Sequence, residues 1–128
     1  LKIIRKNPEN LAPPIGSYAH LSIIPRDAEI LVLSGQVGND LEGNFPTNIE
    51  AQLRNALDNV LRNLASEGVS VEGIVKINIW MTELIDRAAF VTIWNEFHGG
   101  NPPSTTLAYV TALVQPAVKV EVEAWAAR

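Results

Sequence analysis

The stretch Thr47-Asn48-Ile49-Glu50-Ala51-Gln52-Leu53-Arg54-Asn55-Ala56-Leu57-Asp58-Asn59-Val60-Leu61-Arg62-Asn63-Leu64, followed after Gly73 by Ile74-Val75-Lys76-Ile77-Asn78-Ile79-Trp80-Met81, decides how this chain folds. Its first part has a helical period. Ile49, Leu53, Ala56, Leu57, Val60, Leu61 and Leu64 form one apolar stripe, and Arg54, Asp58, Arg62 and Glu67 fall opposite. Thr47 with Glu50 three residues on has the pattern of a capping box, and Gly68 is placed to end the helix. The second part has period two. Val75, Ile77, Ile79 and Met81 share one side, while Lys76, Asn78 and Trp80 share the other, which predicts a strand packed on helices by one face.

Outward from this pair, Asp86 is placed to cap a second helix. Its stripe is Ala89, Phe90, Ile93, Trp94 and Phe97, and Gly99-Gly100 stops it. Two further strands are expected, at about Thr105 to Leu113 and Val118 to Ala126. Toward the N-terminus, Pro8, Pro13 and Pro14 make the chain extended and irregular up to Gly16. Ile30-Leu31-Val32-Leu33-Ser34 reads as a short buried strand. Leu21-Ser22-Ile23-Ile24 is expected to pair with it through the turn at Pro25-Arg26-Asp27. Gly38 to Pro46 reads as a loop. Strands, helix, strand, helix and strands make an α+β class, with two helices on one face of a mixed sheet.

The chain has 128 residues, 47% of them hydrophobic and 19% charged, which suits one domain over 1–128 with a single core. No apolar run approaches the roughly 18 residues that cross a bilayer, so no membrane partner is expected. The first seven residues lack a signal-peptide apolar core. With no cysteine there is no thiol chemistry, and a cytoplasmic location is expected. A net charge of −4 gives no bulk attraction for phosphate backbones, so nucleic acid is not an expected partner. The scattered basic residues, among them Lys2, Arg5 and Lys6, read as solvated surface. His20 and His98 have no second ligand at metal spacing, so no metal is expected, and His98 beside Gly99 reads as a contact of the second helix's end. No nucleophile elbow or phosphate-binding glycine loop is present.

The last strand raises a question of assembly. Lys119, Glu121, Glu123 and Trp125 share one side, and Val118, Val120, Val122 and Ala124 the other. With Trp80 beside them, the first group makes a face too apolar to leave wet and too charged for a dry core. A second subunit covering it is the economical answer. Trp80, Trp94 and Trp125 read as core and interface mass.

Several segments, in this order and spacing, resemble the reactive-intermediate deaminase family (RidA, also YjgF). They are Ile15-Gly16-Ser17-Tyr18, Ser34-Gly35-Gln36-Val37, Gln52 with Asn55, Leu57-Asp58-Asn59-Val60, Gly73-Ile74-Val75-Lys76, Pro103-Ser104-Thr105-Thr106-Leu107 and Val120-Glu121-Val122-Glu123-Ala124. The resemblance implies a chorismate-mutase-like fold and a homotrimer with small-molecule clefts between subunits. It implies hydrolysis of imines or enamines with no cofactor. Tyr18 matches a tyrosine lining the cleft, Ser34 and Gly35 a segment whose backbone lies against the ligand, and Glu121 a glutamate that positions the hydrolytic water.

One match is missing. Family members that deaminate imines carry Pro-Ala-Arg-Ser/Thr, whose arginine grips the substrate carboxylate. Here Thr105 takes that place, or Ser104 if the gap is set differently, and neither is cationic. A family asparagine in the second helix falls on Val91. The resemblance is thus to a branch lacking the arginine, and the expected substrate is an imine or enamine without the usual α-carboxylate contact. The alternative is a non-catalytic trimeric metabolite-binding or regulatory protein. Glu121 admits two readings, a residue that orients water or a polar strand residue at a subunit boundary. Thr105 likewise reads as a ligand contact or an ordinary strand residue. A ribonuclease fits badly with the acidic chain and the lack of a catalytic histidine pair.

Overall fold

The computed structural model describes residues 2–128. In chain order the elements are β1 (Ile4–Lys6), β2 (Leu21–Ile23), β3 (Ile30–Val32), β4 (Gln36–Val37), α1 (Ile49–Ala65), β5 (Ile74–Met81), α2 (Arg87–His98), β6 (Ser104–Tyr109) and β7 (Val120–Ala127). A single 3-10 turn, Val71–Gly73, leads into β5.

The main sheet runs β3-β7-β5-β6, with β4 also paired to β7. The strands β5 and β6 are parallel, and a parallel pair needs a crossover, which α2 provides. The pairs β5–β7, β3–β7 and β4–β7 are antiparallel. Both helices cover one face. Leu53, Ala56, Leu57, Val60 and Leu64 of α1 and Ile93, Trp94 and Phe97 of α2 meet Ile77, Ile79, Met81, Val120, Val122 and Ala124 in one core. Each fully buried leucine of that stripe contributes roughly 1.5–3 kcal/mol relative to exposure. The fold is the expected α+β class: two helices on one side of a mixed sheet.

Local physics moved several boundaries. The cap of α1 is Asn48 and not Thr47; Asn48 Oδ1 accepts from Ala51 N at 2.9 Å. The helix closes at Ala65, and Gly68, at φ +70°, makes the turn that follows. Asp86 caps α2 by accepting from Ala89 N at 2.9 Å, and Gly99 ends it at φ +63°. The strand β6 stops at Tyr109, four residues short of Leu113.

Four corrections concern packing. Leu21–Ile23 pairs with Ile4–Lys6 and not with β3, whose partner is β7. Backbone bonds between Glu29 and Arg128, and from Leu33 N to Ala124 O, extend the β3–β7 pairing past both ends of β3. As an edge strand, β3 is not buried: Ile30 is 41% and Val32 60% exposed. A bulge between Ile74 and Lys76 puts Ile74 into the core, while Val75 lines a recess with Lys76, Ser104 and Trp125. Arg5 is not a solvated surface charge. It donates to Ile74 O at 2.7 Å and to Asn101 O, and so fastens β1 to the start of β5; burial lowers its pKa.

Candidate functional site

Strand pairing decides which side chains can meet. Paired residues point to the same side of a sheet, and neighbours along a strand alternate. Ile77, a core residue, pairs with Thr105 and with Ala124, so Thr105 faces the helices. Trp80 pairs with Glu121, and Asn78 with Glu123, so both glutamates face the other way. In one chain the expected site residues therefore fall into two groups on opposite sides of the sheet.

The helix-side group lines a cleft of about 570 Å³. It joins Tyr18 and Thr105 to Phe90, Trp94, Tyr109 and Arg87. Trp94 organises the wall. It stacks between Phe90 and Phe97, at ring separations of 6.3 and 5.4 Å, and its Nε1 donates to Ser17 O at 2.7 Å. That bond fixes the loop before Tyr18. The Tyr18 ring meets His20 edge-on at 5.6 Å, and its hydroxyl accepts from Ile15 N at 3.3 Å. Ala19 N donates to Pro103 O at 3.2 Å, so the tyrosine loop is tied directly to the start of β6. Thr105 Oγ1 donates to Pro103 O at 2.9 Å. Its only proton is thus engaged by the backbone.

The second group lies on the far side. Glu121 reaches over Gly35 so closely that a Cβ built on the glycine would sit 1.8 Å from Oε2. A Cβ there would push the carboxylate aside, so the glycine is what lets Ser34-Gly35 and Glu121 lie together. Ser34 is exposed beside it, and its carbonyl accepts from Gln36 Nε2 at 3.0 Å. The two carboxylates of β7 differ. Glu123 accepts from Asn78 Nδ2 at 2.8 Å, whereas Glu121 has no hydrogen-bond partner among the described residues. A carboxylate that holds water for attack needs free lone pairs, and Glu121 keeps them.

Other polar groups serve the frame. Gln52, fully buried, donates to Pro46 O and Ala117 O at 2.7 and 2.8 Å and accepts from Lys119 N at 2.8 Å. Asn55 of α1 donates to Gly38 O just after β4, and Asn59 to Val37 O at its end. His98 closes the end of α2. Its Nδ1 accepts from Gly100 N at 3.0 Å and its Nε2 donates to Asn95 Oδ1 at 3.1 Å. Burial, with Arg5 nearby, pushes its pKa below the usual histidine range. Among the described residues no His/Asp/Glu group could hold a metal ion, and no helix is long and apolar enough to cross a membrane.

Arg87 was missed by the sequence reading, which weighed only position 105 as the seat of a cation. One signal was available. Arg87 is the first residue of α2, where the positive end of the helix disfavours a cation, so its presence there is not explained by helix stability. Val91, where the family asparagine would stand, is 42% exposed on α2 and is not part of the cleft lining.

The chain is similar to proteins of one family throughout. The family model described as Endoribonuclease L-PSP matches residues 9–128. A 2-iminobutanoate/2-iminopropanoate deaminase of Escherichia coli is 31% identical over 124 residues, 94% of each chain. The crystal structure of the Rid-family protein YyfB from Yersinia pestis superposes with a TM-score of 0.86 over all of both chains at 22% identity. The E. coli YjgF structure gives 0.71 over 98% of both at 29% identity, and E. coli TdcF with bound serine gives 0.71 over 90% of this chain and 91% of that one at 28%. With sequence and fold in agreement along nearly its whole length, this chain belongs to the RidA/YjgF family.

Proposed function

We propose that this chain hydrolyses an imine or enamine in a cleft completed by a second copy of itself, within a homotrimer, and without the carboxylate grip usual at position 105. The observation that carries the reading is the state of Glu121. It lies against Gly35 with no hydrogen-bond partner among the described residues, on a sheet face that its own chain's cleft does not reach. Its relatives include an iminobutanoate deaminase, and a serine-bound structure exists for another, which supports a small amino-acid-like ligand.

In this reading Glu121 holds the water. The water oxygen bonds to the C=N carbon of the iminium while the carboxylate takes one proton. The proton is passed to nitrogen, the C–N bond breaks as ammonia leaves, and the remaining hydroxyl gives its proton to the carboxylate as C=O forms. No cofactor or metal enters the balance. The half-buried tryptophans Trp80 and Trp125 beside Glu121 and Glu123 are then covered by neighbouring subunits.

The test is ammonia release from a panel of imines generated in place by an amino-acid oxidase. Wild type should exceed background, and Glu121→Ala should lose about 10²–10⁴-fold. Equal rates for both proteins at background end the hydrolase reading. The engaged Thr105 hydroxyl favours a second reading, a trimer that binds a metabolite without turning it over. Saturable thermal stabilisation by a ligand with no ammonia release is its signature.

A further inference from the structure

The helix-side cleft carries one charged side chain, Arg87. Its neighbour Asp86 does not neutralise it, because that carboxylate is turned to its own helix and accepts from Ala89 N. Arg87 is exposed and has no hydrogen-bond or ion-pair partner among the described residues; the ion pairs of the molecule lie elsewhere. Thr105 already gives its hydroxyl proton to Pro103 O. Tyr18 differs, because its oxygen accepts from Ile15 N and its own proton is free to give. The remaining walls, Phe90, Trp94, Leu107 and Tyr109 among them, are aromatic and apolar.

We propose that Arg87 is the anion anchor of this cleft and that the preferred ligand is a carboxylate bearing an aromatic or bulky apolar body. The guanidinium takes the carboxylate through paired N–H donors, with the Tyr18 hydroxyl as a further donor. The apolar body lies against Phe90, Trp94 and Leu107, and a cleft of about 570 Å³ has room for a ring there. The cation lost at position 105 is thus supplied from the first turn of α2, and the carboxylate binds at a different point of the cleft. The inference rests on the reading that the cleft takes a small molecule, and it stands whether or not the ligand is hydrolysed.

The experiment is calorimetric titration with phenylacetate and its neutral isostere phenylacetamide, on the wild-type protein, Arg87→Gln and Arg87→Lys. Wild type should bind phenylacetate about ten- to a hundredfold more tightly than the amide. Arg87→Gln should erase that preference while leaving the amide's affinity in place, and Arg87→Lys should keep part of it. Wild type with no preference for the carboxylate, or Arg87→Gln that retains the preference, overturns the proposal. Ammonia release is scored separately, so a charge-selective cleft without turnover refutes hydrolysis alone, and turnover without charge selection refutes the anchor alone.

Discussion

A carboxylate folded over a glycine gives two sharp expectations at the scale of single residues. In Gly35→Ala the new methyl would collide with Oε2, Cδ and Cγ of Glu121, all in a side chain free to swing away. Melting temperature should change little, while ammonia release falls toward that of Glu121→Ala. Gly38→Ala is the contrast, because its Cβ would lie 2.4 Å from Gln52 O and 2.6 Å from Gln52 Cα, which are backbone atoms of α1. That variant should unfold at markedly lower temperature, by the 1–3 kcal/mol or so typical of overpacking. Thermal melts and ammonia release on both proteins check the pair. His98 supplies a pH dependence. Its folded pKa is lowered, so the unfolded chain binds more protons as pH falls below about 6.5, the ordinary histidine value. Its contribution to stability is intact above that point and declines as pH drops toward the folded pKa. Denaturant midpoints between pH 7.5 and 5 should fall less in His98→Asn than in wild type. Family order pointed to Ser34, Gly35 and Glu121 as residues of one site with Tyr18 and Thr105, but not to the packing of the glutamate against the glycine. The engagement of Thr105 was not legible either, since nothing in a threonine's spacing says which carbonyl its hydroxyl will find.

The elements were read well wherever burial repeats with a period. The stripe of α1 and the alternation of β5 carry enough apolar residues to fix the type of both; the limits of β5 emerged as expected, while α1 is capped by Asn48 and closes at Ala65. Short, half-exposed strands carry no such signal. Leu21–Ile23 alternates as well as a partner of Ile4–Lys6 as it would beside Ile30, and only the tertiary ladder decides. The bulge at Val75 was also hidden, because an inserted residue breaks the period without changing its composition. Gln52 is the element-scale weak point. It alone satisfies Pro46 O, Ala117 O and Lys119 N, and so joins α1 to the segments before it and before β7. Gln52→Leu would leave these groups unpaired in the interior, at about 1–3 kcal/mol each before relaxation. Chemical denaturation should show a lower midpoint with an unchanged slope; an unaltered midpoint would remove Gln52 from the frame.

For the molecule as a whole, sheet parity is the governing fact. Tyr18 and Thr105 stand on the helix side and Glu121 on the other, so one chain does not bring these candidate residues together. The sequence hinted at this through a last strand alternating carboxylates and tryptophan with valines, a face needing cover. Which residues share a side could not be read there, because it depends on register across three strands. In the proposed trimer, assembly would bring the carboxylate of one copy to the aromatic cleft of the next. The direct measurement is ammonia release from a one-to-one mixture of Glu121→Ala and cleft-filling Thr105→Trp chains, unfolded and refolded together. Each variant alone should be inactive, and random assembly into rings should restore about a quarter of wild-type activity, in the clefts that combine both intact halves. A mixture no more active than its separately refolded parents would contradict a shared site.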